Sequence, residues 1–184
     1  MKGVNMKKII SYTAIVISLT CGLVACSSSK TSSEKAAEKR ITALQDSVAG
    51  VHAVRALKDC HFVLLADRIS FGPRGQVFNN PRPETNFLYM LGDEGVVQFA
   101  FENGRLGLNG LGGITCKGRV NNLKILVDKK GDTRVKYSLF GANVSAQVDI
   151  VLYKNSDEAR ALVSGNFNSG SMTIYGKVKP YNGQ

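Results

Sequence analysis

The sequence predicts a mainly β domain, an antiparallel sandwich or barrel of eight or nine short strands, preceded by an N-terminal α-helix. From His61 onward, apolar residues recur at every second position, which is typical of half-buried strands. Residues that favour tight turns separate these apolar runs. No helical pattern intervenes between the runs, whereas a parallel sheet would need a crossover between its strands. The pattern therefore favours an antiparallel architecture.

The predicted strands carry their apolar residues in short alternating sets. In chain order the sets are Phe62/Leu64/Ala66, Phe87/Tyr89/Leu91, Val97/Phe99/Phe101, Leu123/Ile125/Val127, Val135/Tyr137/Leu139, Val148/Ile150/Leu152, Ala161/Val163 and Met172/Ile174/Val178. Among the turns between them, Asn103-Gly104 is the strongest hairpin indicator, because both residue types accept the positive φ angles of a tight two-residue loop. Residues 72–86 are predicted mostly as a loop, since their prolines cannot donate to a sheet ladder.

Residues 34–59 are predicted to form the helix, and residues 60–184 the β domain. Gly50 costs about 1 kcal/mol relative to alanine inside a helix, so a break could occur there. We expect the apolar stripe of this helix to pack against the β domain rather than to bind a partner. The stripe has the three- and four-residue spacing of one helix face and consists of Ile41, Leu44, Val48, Val51, Val54 and Leu57.

Residues 1–25 have the features of a bacterial lipoprotein signal peptide. Three lysines precede an apolar segment at 9–24 that is short for a membrane span. Leu23-Val24-Ala25-Cys26 resembles the lipobox, with an apolar residue at −3, a small one at −1 and cysteine at +1. Cys26 is therefore the predicted lipid-attachment site, while Cys21 fits neither flanking position. The alternative is an ordinary secreted protein that is cut nearby.

Residues 26–33 are polar and are predicted to form a flexible tether. Stable anchoring requires more than one acyl chain, and bacterial lipoproteins typically carry several on this cysteine. The segment lacks the acidic cluster that is usual in surface-exported lipoproteins of the Bacteroides type. By that resemblance, we expect the protein to be anchored in the outer membrane and to face the periplasm.

The charge distribution indicates which partners the protein meets. The net charge of the 184 residues is +10, but the basic residues are scattered rather than concentrated in one patch. Nucleic-acid-binding proteins usually concentrate charge, so we expect no nucleic-acid partner. Attraction to anionic lipids or glycans fits better, although the charges also suit an ordinary soluble surface. The expected partner is the membrane, through the acyl chains on Cys26.

Two cysteines remain after export and acylation, Cys60 and Cys116. An oxidising compartment permits a disulfide between them, and such a bridge would close a long loop. Two buried free thiols are the alternative, because cysteine is among the most buried residue types. The sequence leaves both arrangements open.

The chain resembles a family of Bacteroidetes lipoproteins catalogued as domain of unknown function 4251. The resemblance covers roughly residues 58–181, and the order and spacing of its motifs carry it more than any single motif. It implies a β-barrel of lipocalin-like topology and supplies no activity, cofactor or functional residue. The motifs are Phe62, Ala66-Asp67-Arg68, Gly72-Pro73-Arg74-Gly75, Phe87-Leu88-Tyr89, Gly92-Asp93, Gly112-Gly113-Ile114, Lys129-Lys130-Gly131 and Ile174-Tyr175-Gly176-Lys177-Val178.

The sequence offers little catalytic or metal-binding chemistry. His52 and His61 do not provide the three or four converging ligands of a metal site, and Cys60 next to His61 would point to the opposite side of a strand. The acidic pairs Asp93/Glu94 and Asp157/Glu158 lie in turns, where acids are ordinary. A glycosidase could use two converging acids, but their convergence cannot be read from a sequence.

A glycine-rich segment at 107–113 resembles a phosphate loop but lacks the following Lys-Ser/Thr and helix. We predict no cofactor and no metal. The leading hypothesis is a non-catalytic, lipid-anchored barrel that binds a small apolar or glycan-like ligand. An envelope protein that docks another protein and a hydrolase are the alternatives.

Overall fold

The structure is a computed structural model, which describes residues 32–71, 77–79, 81–100, 113–142, 144–166 and 171–183. The predicted signal peptide, Cys26 and the hairpin turn at 103–104 lie outside these residues. The chain divides into two compact units, Met1–Arg40 and Ile41–Gln184. In the first unit, the described residues form the beginning of a helix, and all of them are exposed.

The elements follow the predicted order of one helix and then only strands. The helix α1 spans Ser32–Lys58, beginning two residues before the predicted start and ending one residue before the predicted end. The strands are β1 (His61–Phe71), β2 (Val77–Asn79), β3 (Phe87–Leu91), β4 (Glu94–Ala100), β5 (Gly113–Val127), β6 (Thr133–Phe140), β7 (Ser145–Leu152), β8 (Glu158–Gly165) and β9 (Ser171–Pro180).

Eight of the nine strands close into an antiparallel barrel. Neighbours in sequence pair from β3 to β9, and β1 pairs with β3 on one side and with β9 on the other. The short strand β2 is an addition that pairs with the last part of β1, in the segment that the prolines had predicted as a loop. The mainly β prediction, the sequential antiparallel barrel and the preceding helix are all confirmed.

One continuous cluster of apolar side chains lies inside the barrel. Every strand of the barrel contributes to it, because alternate residues of a strand point to the same face. The cluster contains Phe62, Leu64, Ala66, Ile69, Leu88, Met90, Val97, Phe99, Cys116, Val135, Tyr137, Leu139, Ala146, Val148, Ile150, Leu152, Ala159, Ala161, Val163, Met172, Ile174 and Val178.

Two of the predicted alternating sets are not the buried core residues of their strands. In β3 the residues that face the interior are Leu88 and Met90. The predicted set, Phe87/Tyr89/Leu91, alternates with them and is only half-buried. In β5 the second half extends beyond the end of β4 and pairs with β6 alone. Leu123 and Val127 are exposed there, whereas Ile125, opposite the buried Val135, is half-buried against the core.

The end of the barrel at which α1 enters will be called the helix end, and the opposite end the loop end. The helix end contains the start of β1 and the β3–β4, β5–β6 and β7–β8 turns, because these strands pair there. The backbone N–H of Gly92 donates to the carbonyl of Cys60, which fixes the helix end to the β3–β4 turn. Within the described residues, no helix combines the length and apolar character that crossing a membrane requires.

The buried face of α1 is not the one that the stripe predicted. Gly50, Ala53, Ala56 and Leu57 are buried, and the last three join the barrel core at the helix end. Leu57 is completely buried, and burial of a leucine contributes about 1.5–3 kcal/mol. The expectation that the stripe packs against the domain is wrong for four of its six members, Ile41, Leu44, Val48 and Val51, which are exposed.

Small residues explain this choice of face. A Cβ atom at Gly50 would lie 2.7 Å from the backbone nitrogen of Ser156 and 2.9 Å from the carbonyl carbon of Asn155. Only glycine therefore allows the helix to approach the β7–β8 turn this closely. The helix continues through Gly50, so the glycine serves close packing and does not break the helix.

We predict that Gly50→Ala destabilises the protein, although alanine favours helix by about 1 kcal/mol in an open helix. The added methyl group overlaps backbone atoms that cannot move aside easily, and we expect a net loss of about 1–3 kcal/mol. Urea unfolding of the purified β domain with its helix measures the change. Ser47→Ala, on the exposed part of the same helix, is the control and should change stability little. An increase in stability of Gly50→Ala would contradict the contact.

Candidate functional site

A cleft of about 330 Å³ lies on the outer surface of the barrel across β6, β7 and β8, towards the loop end. It is lined by Ser138, Phe140, Ser145, Ala146, Gln147, Ser164, Gly165 and Asn166. Most of these positions alternate with interior residues, so their side chains point away from the core. The cleft is thus separate from the interior cluster.

The strand register places three polar side chains of this cleft in one row. Ser138 of β6 is directly opposite Gln147 of β7, and Gln147 is directly opposite Ser164 of β8. These side chains form no hydrogen bond with any other described residue. Two hydroxyl groups and one amide are therefore free to donate to, and accept from, a ligand.

An aromatic ring stands beside this polar row. Phe140 is opposite Ser145 and is 55% exposed, which is unusual for so large an apolar side chain. Asn166 holds the end of the cleft in place, because its Oδ1 atom accepts a 2.9 Å hydrogen bond from the backbone N–H of Ser145. The arrangement joins an apolar ring to a few polar groups on rigid strands, as small-molecule sites do.

A charged pair borders the cleft on its helix-end side. The ammonium group of Lys136 lies 2.7 Å from Oδ2 of Asp149, on the pair of strands that carries Ser138 and Gln147. The other oxygen, Oδ1 of Asp149, is buried and has no hydrogen-bond partner among the described residues. A buried acceptor without a donor is costly, so this oxygen favours a donor group brought by a ligand or by water.

The interior contains one unusual polar group, the hydroxyl of Tyr137. It is buried and has no hydrogen-bond partner in the described part of the chain. Burial raises the pKa of the Tyr137 phenol far above its usual value, and the neighbouring Cys116 thiol adds to the effect. Tyr137 is therefore neutral at any physiological pH, and it contributes volume to the core rather than acid–base chemistry.

Cys60 and Cys116 are both free thiols in the structure. Cys60 lies two residues after α1 at the helix end, whereas the Cys116 thiol lies in the interior and donates to the carbonyl of Val144, near the loop end. Burial raises the pKa of both thiols, and the carboxylate of Asp59 adds to the effect at Cys60. Both are therefore protonated at neutral pH, which makes them poor nucleophiles.

The remaining sequence-predicted groups do not form an active site. Nδ1 of His61 is 2.6 Å from the carbonyl of Asp59, within its own turn. His52 is on the exposed side of α1. Within the described ranges, no group of three or more His, Cys, Asp or Glu residues could hold a metal ion.

The acidic pairs serve the turns of the helix end. Glu94 lies 4.0 Å from the ammonium group of Lys117 on β5, and Asp157 lies 3.3 Å from that of Lys177 on β9. The carbonyl of Asp157 also accepts from the N–H of Val178. Each acidic pair is thus tied to a neighbouring strand.

The glycine-rich segment at 107–113, which was compared with a phosphate loop, lies mostly outside the described residues.

A family model described as "Domain of unknown function (DUF4251)" matches residues 45–178. The chain belongs to this family. Its match includes the second half of α1 as well as the barrel, so the helix contact at Gly50 is part of the DUF4251 domain. The family resemblance seen in the sequence is confirmed.

A solved DUF4251 structure has the same fold. The crystal structure of a DUF4251 family protein from Bacteroides eggerthii DSM 20697 is 36% identical to this chain, with a TM-score of 0.64. The alignment covers 75% of this chain and 91% of that chain. No curated protein matches the chain.

Sequence reasoning did not find the outer cleft of the DUF4251 barrel. Ser138, Gln147 and Ser164 are ordinary polar residues at alternating positions, and each one by itself indicates only a solvent-facing strand position. Their common row appears only when the register of β6, β7 and β8 is known. The indication available from the sequence was Phe140, an aromatic residue out of phase with the interior set of its strand.

We predict that Tyr137→Phe leaves stability unchanged or raises it by up to about 1 kcal/mol. The substitution removes a buried hydroxyl group that has no partner among the described residues, while it keeps the ring that fills the core. Thermal unfolding measures the change, and Tyr153→Phe, at an exposed position, is the control. A loss of more than about 1 kcal/mol would show that the hydroxyl group has a hydrogen-bond partner.

Proposed function

We propose that this protein is a lipid-anchored component of the cell envelope that binds a small, glycan-like ligand on the outer face of its barrel and does not catalyse a reaction. The observation that carries the proposal is the cleft across β6–β8, with its unpartnered polar row beside an exposed phenylalanine ring. A sugar has an apolar C–H face and a polar rim of hydroxyl groups, and the cleft offers a match to both.

The composition of the cleft supports a polar ligand over an apolar one, because the apolar side chains of the described strands are directed into the barrel instead. Here inward-facing side chains from all eight strands of the barrel pack into one cluster. Serine, glutamine and asparagine make up five of the eight lining residues of the outer cleft, which suits a soluble glycan rather than a lipid.

We expect a set of soluble oligosaccharides to perturb the NMR signal of the Gln147 side-chain amide. Gln147→Ala should weaken binding by about tenfold, because an uncharged hydrogen bond contributes about 0.5–1.5 kcal/mol. Gln98→Ala is the matched control, since Gln98 is a half-buried glutamine on β4, outside the cleft. If no oligosaccharide perturbs Gln147, and native mass spectrometry of residues 30–184 shows only the bare chain, the ligand-binding proposal is wrong.

The anchoring part of the proposal is supported by the lipobox-like sequence that ends at Cys26. We predict that Cys26→Ser moves the protein from the membrane fraction to the soluble fraction of the envelope, because the acyl chains can no longer be attached. Cys21→Ser is the matched control and should stay with the membrane. Cell fractionation followed by immunoblotting measures both, and a Cys26→Ser protein that stays with the membrane would refute the anchor.

A second function, docking of another protein chain, is favoured by a different observation. Four large apolar side chains on α1 are exposed side by side, and an exposed apolar patch on a soluble domain is commonly an interaction surface.

A further inference from the structure

The exposed apolar stripe of α1 has the spacing of a coiled-coil seam. Ile41, Leu44, Val48 and Val51 follow one another at intervals of three, four and three residues, and their exposed fractions are 57%, 68%, 57% and 67%. These intervals place Ile41 and Val48 at a positions, and Leu44 and Val51 at d positions, of two consecutive heptads. The four side chains therefore form a continuous seam on one side of the helix.

The barrel occupies the opposite side of the same helix. At 100° per residue, the face that contains Gly50, Ala53 and Leu57 points roughly 170° away from the seam. That face is buried against the barrel core and the β7–β8 turn. A second helix can therefore lie along the seam without meeting the barrel to which α1 belongs.

We propose that the seam pairs with the seam of a second copy of this chain, so that two α1 helices form a short parallel coiled coil. In parallel coiled coils, β-branched residues at a with leucine at d favour two strands over three or four. Ile41 and Val48 meet the first condition and Leu44 meets the second, while the other d position holds the β-branched Val51. The pairing itself does not require the proposed ligand or the proposed anchor.

The residues beside the seam are compatible with a second copy. The flanking g and e positions are Arg40, Gln45, Ser47, His52 and Val54. In a parallel pair Arg40 of one helix faces Gln45 of the other, so these positions bring no like charges together. A helix that lies on an anionic membrane usually carries lysine and arginine beside its apolar face. Among the flanking residues, arginine or lysine occurs only at Arg40, at the start of the seam, so a protein partner fits the seam better than a membrane surface.

The parallel orientation, unlike the pairing, rests on the proposed anchor. Cys26 precedes Ser32 by six residues, which can span about 20 Å at most. In a parallel pair, both acylated cysteines precede the same end of the coiled coil and can enter one membrane. An antiparallel pair would place them at opposite ends of the two helices.

The pairing is expected to be of moderate strength. A seam of two heptads buries less area than the roughly 1,200 Å² of a stable interface. Tethering two copies to one membrane raises their effective concentration and compensates for a weak intrinsic affinity. The acyl-free chain should therefore dimerise in the micromolar range, and the anchored chain more completely.

Sedimentation equilibrium of the mature chain with Cys26→Ser, over about 1–200 µM, tests the pairing. We expect a monomer–dimer equilibrium, and Leu44→Glu should raise its Kd at least 100-fold, because two charges would be buried in the seam. Ala43→Glu is the matched control, since it adds the same charge at an exposed position off the seam. Both variants should keep the thermal unfolding midpoint of the barrel, because both positions are exposed.

Cysteine cross-linking tests the orientation. In a Cys26→Ser, Cys60→Ala background, Leu44→Cys should form a symmetric disulfide under mild oxidation, because equal d positions face each other in a parallel pair. Asp46→Cys, at an outward f position, should not. A dimer in which Leu44→Cys fails to cross-link but a mixture of Leu44→Cys and Val48→Cys chains does would overturn the parallel arrangement.

Three results would overturn the pairing itself. The first is a monomer throughout the concentration range. The second is a dimer that Leu44→Glu does not weaken. The third is flotation of the monomeric acyl-free chain with phosphatidylethanolamine–phosphatidylglycerol vesicles that is lost in Leu44→Glu, which would make the membrane the occupant of the seam. None of these results depends on whether Cys26 is acylated or the cleft binds a glycan.

Discussion

Pairing between β1 and β9 is the interaction on which the rest of the structure depends, because it turns a long meander into a closed barrel. The two strands are in register over most of β1, with one shift between Ala66 and Arg68. Beside this shift, a Cβ atom at Gly176 would overlap the carbonyl oxygen of Leu65, so the strands can approach only because position 176 lacks a side chain. Closure removes the free edges that an open sheet would present to other chains, and it encloses the inward-facing side chains in one core.

Apolar side chains of the described strands pack together inside the barrel. In a barrel of eight strands, the interior is just wide enough for side chains to fill or for one small ligand, and here aromatic and aliphatic side chains such as Phe62, Phe99 and Met172 occupy it. The barrel then serves as a rigid frame. Its strands hold Ser138, Gln147 and their neighbours at fixed spacing, and its helix end supports α1.

The sequence predicted the architecture well, because alternation and turn residues are local properties of the chain. The sequence predicted less well which face of each strand or helix is buried. In β3, every residue from Phe87 to Leu91 is apolar, so alternation could not distinguish the interior set from the outer one. The cleft depends on register between strands, which no local pattern contains. In α1, the prediction assigned the buried face to the largest apolar residues. In the structure, small residues decide which face approaches a neighbouring backbone.

The two faces of α1 show how size and hydrophobicity have separate effects. Burial on the barrel selects for small residues at Gly50 and Ala53, because the β7–β8 turn comes within contact distance of the helix backbone. Most of the stability of a helix in a protein comes from the packing of one face, so this contact stabilises the last turns of α1. The larger side chains from Ile41 to Val51 add nothing to that contact and expose apolar area instead. Their regular heptad spacing is explained if a second helix covers them, and it has no role in a helix whose only contact is its own barrel.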